Sequence, residues 1–402
     1  MEKELTGDTI ERIISASRKM LNETIAVRRH IHMHPELSFR EVNTSEYIAS
    51  RLKAVGIPFV SGIAGTGIIA TIKGKGGRGP AVALRAELDA LPINELNRVN
   101  YRSQNNGVMH ACGHDAHMAM LLGAATILNS MTDCFRGELL FIFQPGEELV
   151  PGGATLLLKE GTLRKINPAA IIAQHVLPEL TSGKTGFRAG KYMASSDEIY
   201  IDIHGRGGHA ALPGQTTDQV LIASELVVEL KKEVTAYGDN VPLVLGLGKF
   251  IAEGATNVIP EKVHIEGTLR TFDEEMRAGF HNIIIDKCEK FSEKYGVKIH
   301  PEIRKGFPVL VNDEKLTERA VSVARKVLGE KRVELLPVRM SSEDFAFYSK
   351  EFPVVFYRLG VKSATTPSGN LHTPDFDIDE AAMESGMATI CAIAIDLVNT
   401  LQ

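Results

Sequence analysis

At 402 residues the chain exceeds what one hydrophobic core usually supports, so two domains are expected. Its 44% apolar and 24% charged residues exclude a disordered or fibrous chain. A net charge of -5 without any basic run argues against nucleic acid or an anionic membrane as partner.

The N-terminal stretch MEKELTGDTIERIISASRKM places charged and apolar residues at helical spacing and lacks the apolar core and cleavage site of a secretory signal. We therefore expect a cytoplasmic protein. Helical patterns run to about residue 55, after which strands begin. TGIIATI and AVALRAELDALP flank the turn-rich KGKGGRGP, which reads most simply as a hairpin. MAMLLGAATIL reads as the longest nearly apolar stretch and falls well short of the roughly 20 residues that cross a bilayer. GELLFIFQPGEE and AAIIAQHVLPE then supply short apolar runs suited to strands buried on both faces, with helical patterns between them. These runs predict an α/β fold with a central mixed sheet flanked by helices. Asp89, the Glu147-Glu148 doublet and His175 each follow such a run, and open α/β sheets build their sites at the carboxyl ends of strands.

Near residue 190 the pattern changes. SSDEIYIDIHGRGGHAA alternates as a strand with one wet face. The helical DQVLIASELVVELKKEV, the strands PLVLGLGKFIAEG and KVHIEGTLRTF, a second helix DEEMRAGFHNIIIDKCEKFSEKYG and VKIHPEIRKG follow. This β-α-β-β-α-β order predicts a small sheet with helices on one side, an inserted α+β domain over 190–306. Residues 1–189 and 307–402 then form the first domain. GRGGHA, with Glu225 downstream, resembles a dinucleotide fingerprint, but the insert reads as antiparallel and His209 stands where a pyrophosphate would approach.

Cys134, Cys288 and Cys391 stand alone and read as buried thiols. Cys112 differs, because MHACGHDAHMAM sets it between His110 and His114. On an extended segment, Cys112 and His114 would share a face. With Glu148, His175 and His372 in the loop segment NLHTPDF, they make a donor set suited to zinc, manganese, cobalt or nickel. In the Glu147-Glu148 doublet one carboxylate can bind metal while the other takes a proton from water. A thiol nucleophile at Cys112, with His114 or His110 as base, is the rival chemistry; it leaves both glutamates and His175 unexplained.

RRHIHMHPELSF, LRAELDALP, MHACGHDAHMAM, FQPGEE, QHV, GRGGHAALP, NVIP, GTLRTF, SSEDFAFY and LHTPDF together resemble the M20 metallopeptidase family. The resembling subgroup is the amidohydrolases, with hippurate hydrolases, auxin-conjugate hydrolases and N-acetyl-diaminopimelate deacetylases. The resemblance implies that Cys112, His114, Glu148, His175 and His372 hold two divalent ions per subunit, with Glu147 as general base. It implies that the insert is a lid through which a homodimer forms, and that the substrate is a small N-acyl amino acid or dipeptide-like compound. It also implies that His209 stabilises an oxyanion, often across the dimer, and that Asn257 and Arg270 hold a substrate carboxylate. Other branches carry His-x-Asp where this chain has Glu87 and Asp89; Asp89 is expected to orient a ligand rather than to bind metal. Leu149-Val150-Pro151 replaces a Gly-rich run of the family. His117 is expected to pack or to support the site rather than to bind metal, and His30, His32 and His34 to be structural or to stand behind the metal-binding residues.

Overall fold

The computed structural model describes residues 5–238, 241–363 and 369–402. Residues 364–368, part of the loop expected before His372, lie outside that set. The chain divides into two compact units. The first comprises Met1–Gly190, Val311–Pro337 and Asp344–Gln402; the second comprises Lys191–Leu310 and takes in Val338–Glu343, a segment within the expected first domain.

In chain order the helices are α1 Gly7–Met33, α2 Val42–Ala54, α3 His114–Ser130, α4 Gly153–Glu160, α5 Thr162–Ile166, α6 Gln219–Tyr237, α7 Glu274–Tyr295, α8 Glu314–Leu328 and α9 Ala382–Thr400. The strands of the two main sheets are β1 Phe59–Ile63, β2 Gly67–Lys73, β3 Ala81–Glu87, β4 Glu138–Gln144, β5 Ala170–Thr181, β6 Thr185–Phe187, β7 Asp197–His204, β8 Leu243–Ile251, β9 Lys262–Thr271, β10 Lys298–Lys305, β11 Val333–Leu335 and β12 Val354–Lys362.

The first unit is built on a mixed eight-stranded sheet in the order β1-β2-β4-β3-β5-β12-β6-β11. The core strands β4, β3, β5 and β12 run parallel. The expected β2/β3 hairpin does not form, because β4 lies between them, antiparallel to β2 and parallel to β3. The physical reason lies in β4 itself: ELLFIFQ is buried at every position but its first, so it belongs inside the sheet, and the long KGKGGRGP connection spans the two strand spacings this requires. β1, not anticipated from the sequence, forms the antiparallel edge beside β2.

Helices α3 and α9 are apolar nearly all round and are buried accordingly. Among the described residues, α9 is the one helix long and apolar enough to cross a membrane, a longer run than MAMLLGAATIL, and 94% of that window is buried inside the protein. Of the three lone cysteines, Cys288 and Cys391 are buried, whereas Cys134 is only partly so, at the end of a short helical turn after α3.

The second unit carries an antiparallel sheet ordered β8-β9-β7-β10. β7 alternates strictly: Ile199, Ile201 and Ile203 are buried while Glu198, Tyr200, Asp202 and His204 face the other way. The isoleucine face packs in one cluster with Ile222, Leu226 and Leu230 of α6 and Phe280 and Ile284 of α7. Asp218 and Asp273 cap the two helices, each accepting backbone N–H bonds of their first turns at 3.0 Å.

A buried ion cluster ties α1 to the start of α3. Arg28 Nε donates to Asp115 Oδ2 at 2.7 Å, Nη2 to Asp377 at 2.7 Å and Nη1 to Glu380 at 3.1 Å. His32 reaches Asp115 through Nδ1 at 2.8 Å and Glu95 through Nε2 at 3.2 Å. Both ring nitrogens therefore face carboxylates. Burial opposes the charge on His32, but Asp115 and Glu95 outweigh it and raise the pKa from the usual 6.5 to about 9. A raised folded pKa stabilises fully below the unfolded value, and this contribution disappears as the pH climbs through about 9. Urea unfolding should accordingly show up to roughly 3 kcal/mol lost between pH 6.5 and 9.5, and His32→Gln should flatten that slope. An unchanged slope in the variant would place the pH dependence elsewhere.

Candidate metal centre

Three segments of the first unit converge at the carboxyl end of the parallel strands. Asp89 follows β3, the Glu147-Glu148 doublet follows β4, and the loop 109–113 leads into α3. His175 does not end its strand as expected but lies within β5, which continues beside β12 as far as Thr181. The segment holding Cys112 and His114 is not extended either. Gly113 adopts a left-handed conformation (φ 86°) and His114 opens α3, so a turn rather than strand alternation brings the two side chains together. A Cβ at Gly113 would also stand 2.5 Å from a Val176 methyl, so glycine is demanded twice there.

The donor atoms meet closely. Cys112 Sγ lies 3.4 Å from His175 Nε2 and 3.3 Å from His372 Nε2. Glu148 Oε1 lies 3.2 Å from His372 Nε2 and 4.0 Å from His114 Nε2. The ligand atoms of Cys112, His114 and His175 fall within 4.8 Å of one another, as do those of Cys112, Glu148 and His372, and those of His114, Glu147 and Glu148. Cys112 is common to the first two groups. His372 holds a positive φ of 63° and donates its backbone N–H to Ala111 O at 2.8 Å, which pins its loop to the one bearing Cys112.

Hydrogen bonds fix which imidazole nitrogen faces the cluster. His114 Nδ1–H donates to the Asp89 carbonyl at 2.8 Å, and His175 Nδ1–H to the Val176 carbonyl at 2.7 Å. In both rings Nε2 is the nitrogen left toward the other donors, the arrangement by which carbonyls and carboxylates orient metal-binding histidines. Asp89 also takes Ser38 Oγ at 2.6 Å and the Glu148 N–H at 2.9 Å through Oδ2, so it holds His114 and Glu148 on either side.

The cluster fits a divalent cation on its own geometry and charge. His114 Nε2 and Glu148 Oε1 are buried and lack any hydrogen-bond partner, which is costly unless another species satisfies them. Burial disfavours a charged His114, yet Asp89, Glu87 and Glu148 raise its pKa to about 10: the surroundings attract positive charge strongly. Burial, with Arg358 and His117 nearby, drives His175 well below its usual range, leaving a neutral ring with a lone pair to give. Thiolate, imidazole and carboxylate together suit borderline transition metals.

Glu147 is buried, and its Oε1 accepts the Asp344 N–H at 3.3 Å. Asp344, one of the residues not singled out from the sequence, belongs to a buried network: its carboxylate takes Arg85 Nη2 at 2.6 Å, Gln144 Nε2 at 2.7 Å and the Ala154 N–H at 2.9 Å. Arg85 also pairs with Glu87. An arginine and two acids inside the apolar run AVALRAELDALP were the signal available for this network. His117 bonds Glu87 and a backbone N–H and is no part of the Cys112 cluster. His110 is buried, which pushes its pKa down to about 3, and neither of its ring nitrogens has a hydrogen-bond partner. His30 stacks on Tyr47 and His34 bonds the His30 carbonyl, away from these donors.

His209, Asn257 and Arg270 lie in the second unit. His209 is exposed, in a two-residue strand paired with Val258–Ile259, and its Nδ1 accepts the Ala211 N–H at 3.1 Å; the neutral ring then carries its proton on Nε2. The Asn257 carbonyl accepts the Ala210 N–H at 2.9 Å, setting it beside His209. Arg270 Nη1 donates to Met340 O at 3.2 Å and Ser342 Oγ at 3.1 Å, and no carboxylate pairs with it among the described residues. Leu149 and Val150, in place of the Gly-rich run, are exposed.

The chain resembles known proteins in sequence and in structure. The sequence pattern of peptidase family M20/M25/M40 matches residues 83–396. The chain is 38% identical over 367 residues to the N-acetyl-L-cysteine deacetylase of Bacillus subtilis, covering 90% of this chain and 85% of the relative. It is 39% identical over 312 residues to the N-acyl-L-amino acid amidohydrolase of Geobacillus stearothermophilus, covering 77% and 83%. Among solved structures, the YXEP protein of Bacillus subtilis, described as a dinuclear metal-binding peptidase from the M20 family, superposes with a TM-score of 0.83 at 31% identity over 96% of this chain and 99% of that one. With the pattern spanning well over half of the chain and the relatives similar across both units, the chain belongs to peptidase family M20/M25/M40.

Proposed function

We propose that the protein hydrolyses the amide bond of N-acyl amino acids, with Cys112, His114, Glu148, His175 and His372 holding two divalent ions and Glu147 as general base. The observation that carries this reading is the pair of donor groups sharing Cys112, with Glu147 within reach of one of their members. The names of the relatives from Bacillus subtilis and Geobacillus stearothermophilus support an N-acyl amino acid as substrate. Divalent ions bound there would supply Lewis acidity, acidifying a water and polarising the amide carbonyl. Glu147 takes the proton from the attacking water and gives it to the leaving nitrogen. Its buried carboxylate is steadied for this by the Asp344 N–H. The Nε2–H of His209 suits an oxyanion, and the acid-free guanidinium of Arg270, with Asn257, suits the substrate carboxylate.

A screen of N-acetyl, N-benzoyl and longer N-acyl amino acids with added manganese, zinc, cobalt or nickel tests this function. Activity should fall with a chelator and return with metal. Activity that resists chelation but yields to alkylation would replace it with a thiol mechanism at Cys112. Cys112→Ser should leave less metal than wild type after dialysis, by about tenfold or more in affinity, because an alcohol is harder and far less acidic than a thiol. Full metal and full activity in that variant would remove Cys112 from the ligand set.

We further assign the second unit as a lid through which a homodimer forms. The exposed Val244, Phe250 and Ile251 on the sheet-edge strand β8 support an interface there. If His209 serves the partner's site, coexpressed His209→Ala and Glu147→Gln chains should regain up to about half of wild-type activity per mixed dimer, because one hybrid site is then intact. Mixed dimers that form and stay inactive would remove His209 from the partner's site.

A further inference from the structure

The ladder between β3 and β5 stops at Arg85↔Ala173, two residues short of His175. Beyond it, the backbone groups on that side of β5 need other partners, since a buried N–H left unpaired is costly. A side chain meets the need: His117, on the first turn of α3, accepts the Val176 N–H at Nε2, 3.0 Å away. An accepting Nε2 fixes the proton on Nδ1, which donates to Glu87 Oε2 at 2.7 Å. The Val176 carbonyl in turn accepts the Nδ1–H of His175 at 2.7 Å. Glu87, His117, Val176 and His175 thus form one continuous file of hydrogen bonds in which every direction is determined. Its outer end is fixed by Arg85, fully buried and paired with both Glu87 and Asp344.

We propose that Glu87 and His117 are positioning residues that fix the ring orientation and tautomer of His175, aiming its Nε2 at the donor cluster without themselves binding metal. His117 lies near enough to Glu87 and His114 for the three to be mistaken for a further metal group. Both its nitrogens are already engaged, however, and a nitrogen that accepts a backbone N–H has no lone pair for a cation. Glu87 is likewise committed. One of its oxygens takes Arg85 and the other His117, which orders the file from its far end. Arg85 ties this file to the opposite side of the centre as well, because its second partner, Asp344, presents the N–H that Glu147 accepts.

This inference rests on the metal reading above, and the test separates the two. Full-length protein stripped with a chelator is titrated with zinc against a chromophoric chelator, and the cobalt-substituted protein is followed by its visible spectrum. His117→Phe fills the ring's space and removes both hydrogen bonds. It should bind the wild-type number of zinc ions with about 10- to 100-fold weaker affinity and show shifted thiolate-to-cobalt absorption. A purely structural role for His117 would leave that spectrum alone. Glu87→Gln keeps the volume but can offer an oxygen to only one of Arg85 and His117, so it should weaken zinc in the same direction and less severely. A folded His117→Phe protein with wild-type affinity and spectrum overturns the proposal, and so does one that loses a whole equivalent of zinc, which would make His117 a ligand. If His117→Phe does not fold, wild-type zinc affinity in Glu87→Gln overturns it instead. Wild-type protein that binds no zinc, cobalt or manganese overturns the metal reading together with this one.

Discussion

Glu147→Gln should lower turnover by about 100- to 10,000-fold while bound metal is retained. The glutamine oxygen can still accept the Asp344 N–H that Glu147 Oε1 takes at 3.3 Å, so the side chain keeps its place. What it loses is the capacity to receive a proton from water and return it to the departing amine. Glu148, one residue on, cannot substitute: its Oε1 lies 3.2 Å from His372 Nε2, and its backbone N–H is held by Asp89, which turns it toward His372 and Cys112. Kinetics and metal analysis on the same preparation decide the matter. Loss of metal in Glu147→Gln would exchange the roles of the two glutamates, and near-normal turnover would remove Glu147 from the chemistry.

The elements of the fold were legible in the sequence where the apolar period was unambiguous. The alternation of DEIYIDIH gave a strand with one wet face, and the apolar runs gave the buried strands around β4 and β5. What the sequence did not disclose was pairing. TGIIATI and AVALRAELDALP are neighbours in the chain, but the strand that separates them in space comes some fifty residues later, and periodicity records burial without recording the neighbour. β1 escaped notice for a related reason: FVSGI at the sheet edge is mostly exposed and carries no apolar period.

The donor residues stood out because Cys112, His114, the glutamate doublet, His175 and His372 are chemically conspicuous. Their supports did not. Whether Arg85 is a solvated charge or the buried partner of Glu87 and Asp344 depends on a contact across 259 residues of chain, and the meeting of Arg28 with Asp377 and Glu380 spans 349 and 352. Charges inside apolar runs mark such residues without naming their partners. His32 and His34 show the ambiguity well. They look alike in RRHIHMHPELSF, yet one is buried between two carboxylates and the other is exposed beside its own helix.

Arg28→Met should destabilise the protein by about 3–5 kcal/mol, the usual cost of removing one partner from a buried ion cluster. The methionine preserves most of the stem's volume, so the loss reports charge and hydrogen bonding rather than a cavity. Arg28 has no exposed side-chain surface and serves Asp115, Asp377 and Glu380 at once. Without it, Asp115 keeps only His32, and its second oxygen already lacks a hydrogen-bond partner. Asp377 and Glu380 are mostly buried too, but Glu380 retains Arg29 and Asp377 retains the Tyr101 hydroxyl, so the deficit concentrates at Asp115. Arg28→Lys should fall between, because one ammonium keeps the charge but cannot span three carboxylates in the planar fork of a guanidinium. Urea unfolding of the three proteins at pH 7 measures this order. Since Asp115 directly follows His114, the same variants should also bind metal more weakly, with the lysine protein again intermediate. Stability of Arg28→Met within about 1 kcal/mol of wild type would mean that the cluster's remaining cations, His32 and Arg29, suffice to neutralise it.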